Sequence, residues 1–63
     1  MKRFLVVRVN ADGKRTTVLA TNNRQKAIDE WLWGDGCTEV WIFDEQGNHI
    51  RTVSQLRDIG FIK

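Results

Sequence analysis

The sequence predicts a small α+β domain in ββαββ order, two β-hairpins forming an antiparallel sheet with one helix on one face. Two strand-turn-strand stretches share one turn grammar at an offset of 34 residues, and an apolar stripe at helical spacing lies between them. At 63 residues the chain has room for one core, so residues 1–63 are read as a single domain.

Residues 3–9, Arg-Phe-Leu-Val-Val-Arg-Val, and 16–19, Thr-Thr-Val-Leu, are rich in β-branched and large apolar side chains, which suit a pleated, half-buried surface. Between them lies Asn10-Ala-Asp-Gly-Lys14. Asn opens a type I turn, and Gly13 supplies the left-handed residue that closes such a loop. Asp44-Glu-Gln-Gly-Asn48 repeats the pattern between Glu39–Phe43 and His49–Val53. Pairing outward from each loop sets Asn10 opposite Lys14 and Asp44 opposite Asn48, so Trp41 is expected to face Arg51 and Phe43 to face His49.

The helix is expected at about 23–33. Thr21, Asn22 and Asn23 offer side-chain acceptors for its free amides, and Gln25, three residues after Asn22, resembles the partner in a capping box. Ala27, Ile28, Trp31 and Leu32 fall on one face, and Gly34 or Gly36 ends the helix. The tail Ser54–Lys63 is read either as one helical turn, Leu56 to Ile59, stopped by Gly60, or as a short strand at Phe61-Ile62.

Under this register both faces of the sheet are apolar. One carries Phe4, Val6, Val18, Ala20, Val40, Ile42 and Ile50 with Arg8, Thr16 and Thr52; the other carries Leu5, Val7, Val9, Leu19, Trp41, Phe43 and Val53 with Arg15, Thr17, His49, Arg51 and Glu39. One helix of about 11 residues covers one face, here assigned to the aliphatic one, with Ile28, Trp31 and Leu32 on Val6, Val40 and Ile42. For the second face two covers are available: Leu56, Ile59, Phe61 and Ile62 of the tail, or something outside the monomer. Leaving Trp41, Phe43, Val7 and Leu5 in water forgoes about 1.5–3 kcal/mol each, against the roughly 3–5 kcal/mol that a core of this size supplies. Trp33, if the helix runs through it, points away from the core stripe and is a second candidate anchor.

Chemistry-bearing constellations are sparse. Cys37 is the lone cysteine and His49 the lone histidine, which excludes an intrachain disulfide and falls short of the four ligands of a structural zinc site. The acidic residues near Cys37 (Glu30, Asp35, Glu39) disfavour a reactive thiolate, so it is read as a small, partly buried filler. Gly34-Asp-Gly36 ends a helix instead of opening one, and no phosphate-binding fingerprint is present. No enzyme activity, cofactor, metal or small-molecule substrate is expected.

The apolar run Phe4–Val7 stops at Arg8, short of the roughly 7–15 residues of a signal-peptide core. No stretch approaches the roughly 20 residues of a membrane span. Membrane contact is not expected, and a single free thiol suits the cytoplasm. The net charge of +2 is uneven. Residues 1–26 carry +6, with seven basic side chains against Asp12, and residues 27–63 carry −4.

These features point to a protein-interaction module, an adaptor, inhibitor or regulator that self-associates as a homodimer or docks on a protein partner through Trp41, Phe43, Arg51, His49, Arg15, Val7 and Trp33. Nucleic-acid binding is the second reading, with Trp41 and Phe43 stacking on bases while Arg15, Arg51, Arg8 and Lys14 track phosphates. The continuous aliphatic surface beside the aromatics and the acidic second half rank it lower.

Overall fold

The turn chemistry is realised in both hairpins. The computed structural model describes residues 2–34 and 36–62. Strand β1 (Phe4–Val9) turns into β2 (Arg15–Thr21), and β3 (Thr38–Phe43) into β4 (His49–Val53). Gly13 and Gly47 take φ values of 84° and 88°, the left-handed conformation that side chains resist. In both loops the glycine amide donates to the opening residue: Gly13 N to Asn10 O at 2.9 Å and Gly47 N to Asp44 O at 3.1 Å. The Asp44 carboxylate also accepts from the backbone of Gln46 at 2.9 Å and of Asn48 at 2.8 Å. Those bonds, led by the one from Asn48, hold Asp44 below the usual aspartate value of 3.8.

Helix α1 (Arg24–Trp33) starts one residue later than the capping-box pattern suggests. Asn23 is the cap, its Oδ1 accepting from Lys26 N at 3.1 Å, while Asn22 accepts from Arg3 N at 2.8 Å. Gln25 reaches forward to Asp29 at 2.8 Å instead of back to the cap. At the other end Trp31 and Thr38 are bonded twice: the indole Nε1–H donates to Thr38 O at 3.0 Å, and Thr38 Oγ1–H donates to Trp31 O at 2.9 Å. Gly34 permits this approach, because a Cβ there would overlap the Thr38 side chain.

The four strands form one antiparallel sheet in the order β2-β1-β3-β4. Helix α1 lies over β1, β2 and β3, and a 3-10 helix, Leu56–Phe61, lies beside β4. The core is the layer between: Phe4, Val6, Ala27, Ile28, Trp31, Val40, Ile42, Val53 and Ile62. The helix therefore covers the face carrying Phe4, Val6, Val40 and Ile42, as expected. The tail joins it on that same side. Ile62 is fully buried, the Arg24 guanidinium donates to its carbonyl, and the Arg51 guanidinium stacks 3.9 Å from the centre of the Phe61 ring.

Two expectations about the faces are corrected. Each hairpin contains a β-bulge, which places an extra residue on the outer strand. Val7 pairs with Thr17 but Val6 with Leu19, and Phe43 pairs with His49 but Ile42 with Arg51. Beyond Val18 and Ile50 every side chain is thus switched: Leu19, Arg51 and Val53 move to the helix side, and Ala20 and Thr52 to the opposite face. Trp41 faces Thr52 instead of Arg51. Leu32, assigned to the core stripe, is 53% exposed. It borders a 320 Å³ gap between the end of α1 and Leu56 that neither element closes.

Candidate functional site

The face opposite the helix is built from alternate residues of the two central strands: Leu5, Val7 and Val9 from β1, and Glu39, Trp41 and Phe43 from β3. The edges add Thr17, Arg15 and Ala20 from β2, and His49 and Thr52 from β4. Among the described residues no element packs over it. Among its large apolar side chains only Val7 is buried, at 5% exposure, and it belongs to no part of the helix-side core. Its cross-strand neighbours Thr17 and Glu39 flank it. Leu5, Val9, Trp41 and Phe43 are half-buried.

The polar groups of this face are bonded to one another. Glu39 Oε1 accepts from Arg15 Nε at 3.1 Å and from the Trp41 indole N–H at 3.1 Å. This holds the indole down along the strand and leaves the carboxylate only 17% exposed. Across from it the imidazole of His49 packs on Trp41 and Phe43, with ring centres 5.0 and 5.5 Å away. His49 Nε2 and Thr52 Oγ1 are hydrogen-bonded at 2.8 Å. The result is an aromatic cluster over β3 and β4.

Two shallow hollows of 250 and 180 Å³ lie across β2, β1 and β3, the first lined by Lys2, Leu5, Ala20, Phe43 and Gly47, the second by Leu5, Val7, Arg15, Thr17 and Trp41. Both are predominantly apolar. The relief arises from side-chain size: Thr17 and Ala20 stand where β3 carries indole and phenyl rings.

Trp41, Phe43, His49, Arg15 and Val7 are brought together as the sequence suggested. Arg51 is not, because the Ile50 bulge sends it to the helix side. Trp33 is 85% exposed at the end of α1, on the other layer of the molecule. It borders an 80 Å³ hollow with Arg8, Val18 and Glu30. Ala20, Thr17 and Thr52 belong to the face but were not among the expected site residues. The adjacent apolar pair Val18-Leu19, which interrupts strict alternation, is the one signal that hinted at the first bulge. Cys37 is exposed rather than partly buried, and its backbone is the part in use, its carbonyl accepting from Val9 N at 2.8 Å. Asp35, invoked as its neighbour, lies outside the described residues.

The chain matches no protein-family model, no curated protein and no solved structure. Among the described residues no cluster of His, Cys, Asp and Glu is arranged to hold a metal ion, and no helix is long and apolar enough to cross a membrane.

Proposed function

We propose that this protein is a non-enzymatic interaction module that binds a protein partner through the sheet face carrying Leu5, Val7, Trp41, Phe43 and His49. The observation that carries the reading is the pairing of polar groups on an otherwise apolar face. Arg15, Glu39 and the Trp41 N–H satisfy one another, as do His49 and Thr52. A protein surface can therefore cover them without stranding a charge, the condition under which burial is favourable.

The same bonds weigh against nucleic acid. Of the four cations that would track phosphates, Arg51 and Arg8 lie on the helix side and Arg15 is taken by Glu39. Lys14 remains, at a hairpin tip. With Lys2 at the larger hollow, two separated cations beside two aromatic rings are a sparse electrostatic footprint for a polyanion. Docking by the face is also favoured over strand addition, since both outer strands carry a bulge that interrupts edge pairing.

The test uses Ala20→Glu, an exposed position at the edge of the larger hollow, with Lys26→Glu on the exposed side of α1 as control. Immobilised wild-type protein and the Lys26 variant are expected to retain the same partner from a native-host extract, while the Ala20 variant loses it. Equal retention by all three, or quenching of Trp41 fluorescence by single-stranded oligonucleotides at low salt, counts against the proposal.

A further inference from the structure

We infer that residues 56–62 form a strap that opens and closes as one piece while the four strands and α1 stay folded. An internal symmetry of the backbone shows why this segment is the weakly held one.

The backbone repeats one strand-strand-helix unit about a two-fold axis through the middle of the sheet. The offset of 34 residues seen in the turns carries β1 (Phe4–Val9) onto β3 (Thr38–Phe43) residue for residue. Val6 pairs with Val40, its own image, at the centre of the β1–β3 ladder. The bonds flanking that ladder obey the same rule: Val9 N donates to Cys37 O at 2.8 Å, and Phe43 N to Arg3 O at 2.8 Å. In the core Ile62 stands 34 residues after Ile28, and both are buried. Ile62 thus takes, for the second unit, the place that Ile28 takes for the first.

The symmetry fails in the helices. The first unit ends in the ten-residue α1, capped by Asn23 and packed on β1, β2 and β3. The second ends in a six-residue 3-10 helix with no side-chain cap and no buried residue of its own, packed on β4. Such helices have poorer hydrogen-bond geometry than α-helices and are uncommon beyond a few residues.

What holds the segment is gathered at its far end. Ile59 packs partly on the core and Ile62 sits inside it; the Arg24 guanidinium donates to the Ile62 carbonyl, and the Arg51 guanidinium covers the Phe61 ring. At the near end Leu56 is 62% exposed and borders the 320 Å³ gap beside Leu32. With only Ile62 fully buried, little apolar area resists opening, the condition under which a segment unfolds locally. Release of Ile62 frees the whole segment, since no deep contact lies nearer the hinge at Ser54 and Gln55. The open state leaves the cluster of Phe4, Ile28 and Val53 without Ile62 and the gap without its Leu56 wall, so an apolar cleft appears between α1 and β4.

Native-state hydrogen exchange of the full chain, followed residue by residue by NMR in sub-denaturing urea, tests this. Val9 and Phe43 report on the sheet; Asp58 N, bonded to Gln55 O at 2.9 Å, and Ile62 N, bonded to Ile59 O at 3.1 Å, report on the strap. Asp58 and Ile62 are expected to share one protection factor, at least about 10-fold below those of Val9 and Phe43, and to depend little on urea because a small opening exposes little surface. Arg51→Gln is expected to lower the strap protection roughly two- to fivefold. Val7→Ala, on the opposite face, is expected to lower the protection of Val9 and Phe43 and leave that of the strap unchanged. Strap amides with the protection and urea slope of the sheet overturn the inference, as does a strap that responds to Val7→Ala and not to Arg51→Gln. A graded loss of protection from Asp58 to Ile62 is residue-by-residue fraying and overturns it too, and no protection at either amide shows that the strap does not close.

Discussion

Truncating Ile62 tests whether the C-terminal segment closes the helix-side core. Ile62 is fully buried: its relative exposure is 0%, and it sits in one cluster with Phe4, Ile28 and Val53. Withdrawing a large aliphatic side chain from water is worth about 1.5–3 kcal/mol. The cavity left by Ile62→Ala adds to that loss, for a total of about 2–5 kcal/mol. Since a core of this size supplies roughly 3–5 kcal/mol in all, the lower end halves the stability and the upper end unfolds the chain at 25 °C. Urea unfolding followed by circular dichroism reads the effect as a midpoint lowered by about 2 M or more, at a slope near 1 kcal/mol/M. Phe61→Ala is the internal comparison. Phe61 is 47% exposed and its main partner is the Arg51 guanidinium, so its loss costs about 1 kcal/mol or less. If Ile62→Ala costs under about 0.5 kcal/mol, the level of an ordinary surface substitution, the tail does not close the core and the two-element helix side described above is wrong.

Gly34→Ala forces a methyl group into the Thr38 side chain and strains the paired Trp31 and Thr38 bonds, with an expected loss of about 1–3 kcal/mol in the same assay. Gly60→Ala meets nothing within 4 Å and is expected to be neutral; a loss at Gly34 no larger than at Gly60 would show that the Thr38 side chain gives way without cost. Asp44→Ala is expected to lower the thermal midpoint at neutral pH. Because the folded-state value of Asp44 lies below 3.8, its contribution is fully present above that value and disappears as pH falls through the lower folded one. The gap between the two proteins should therefore close in strong acid, and a gap that persists there assigns the effect to something other than the carboxylate. Acrylamide quenching should act mainly on Trp33, at 85% exposure, against 5% for Trp31; Trp33→Phe is expected to remove most of the quenchable emission, and unchanged quenching would mean that Trp41 is the open indole.

Local chemistry was legible in the sequence wherever it acts over a few residues. The two loops follow from Asn10 and Asp44 at the turn openings and from glycines that tolerate a left-handed backbone. The helix follows from Asn23 and the spacing of Ala27, Ile28 and Trp31. Element order and type, and five of the residues gathered on the open face, were readable on that basis.

Tertiary structure decided what pairing and packing decide. A bulge adds one residue to one strand, and beyond the Val18-Leu19 pair no residue marks either one, so the side of Arg51, Leu19 and Val53 could not be read from alternation. The destination of the tail depended on which face had room beside a ten-residue helix. That helix covers β1, β2 and β3 but not β4, so Ile62 fills the remaining place in the core and the aromatic face stays uncovered. Sequence by itself determined that two apolar faces exist; only the packed chain determined which one it closes, because burial is settled by the space left between elements and not by the residues of either element alone.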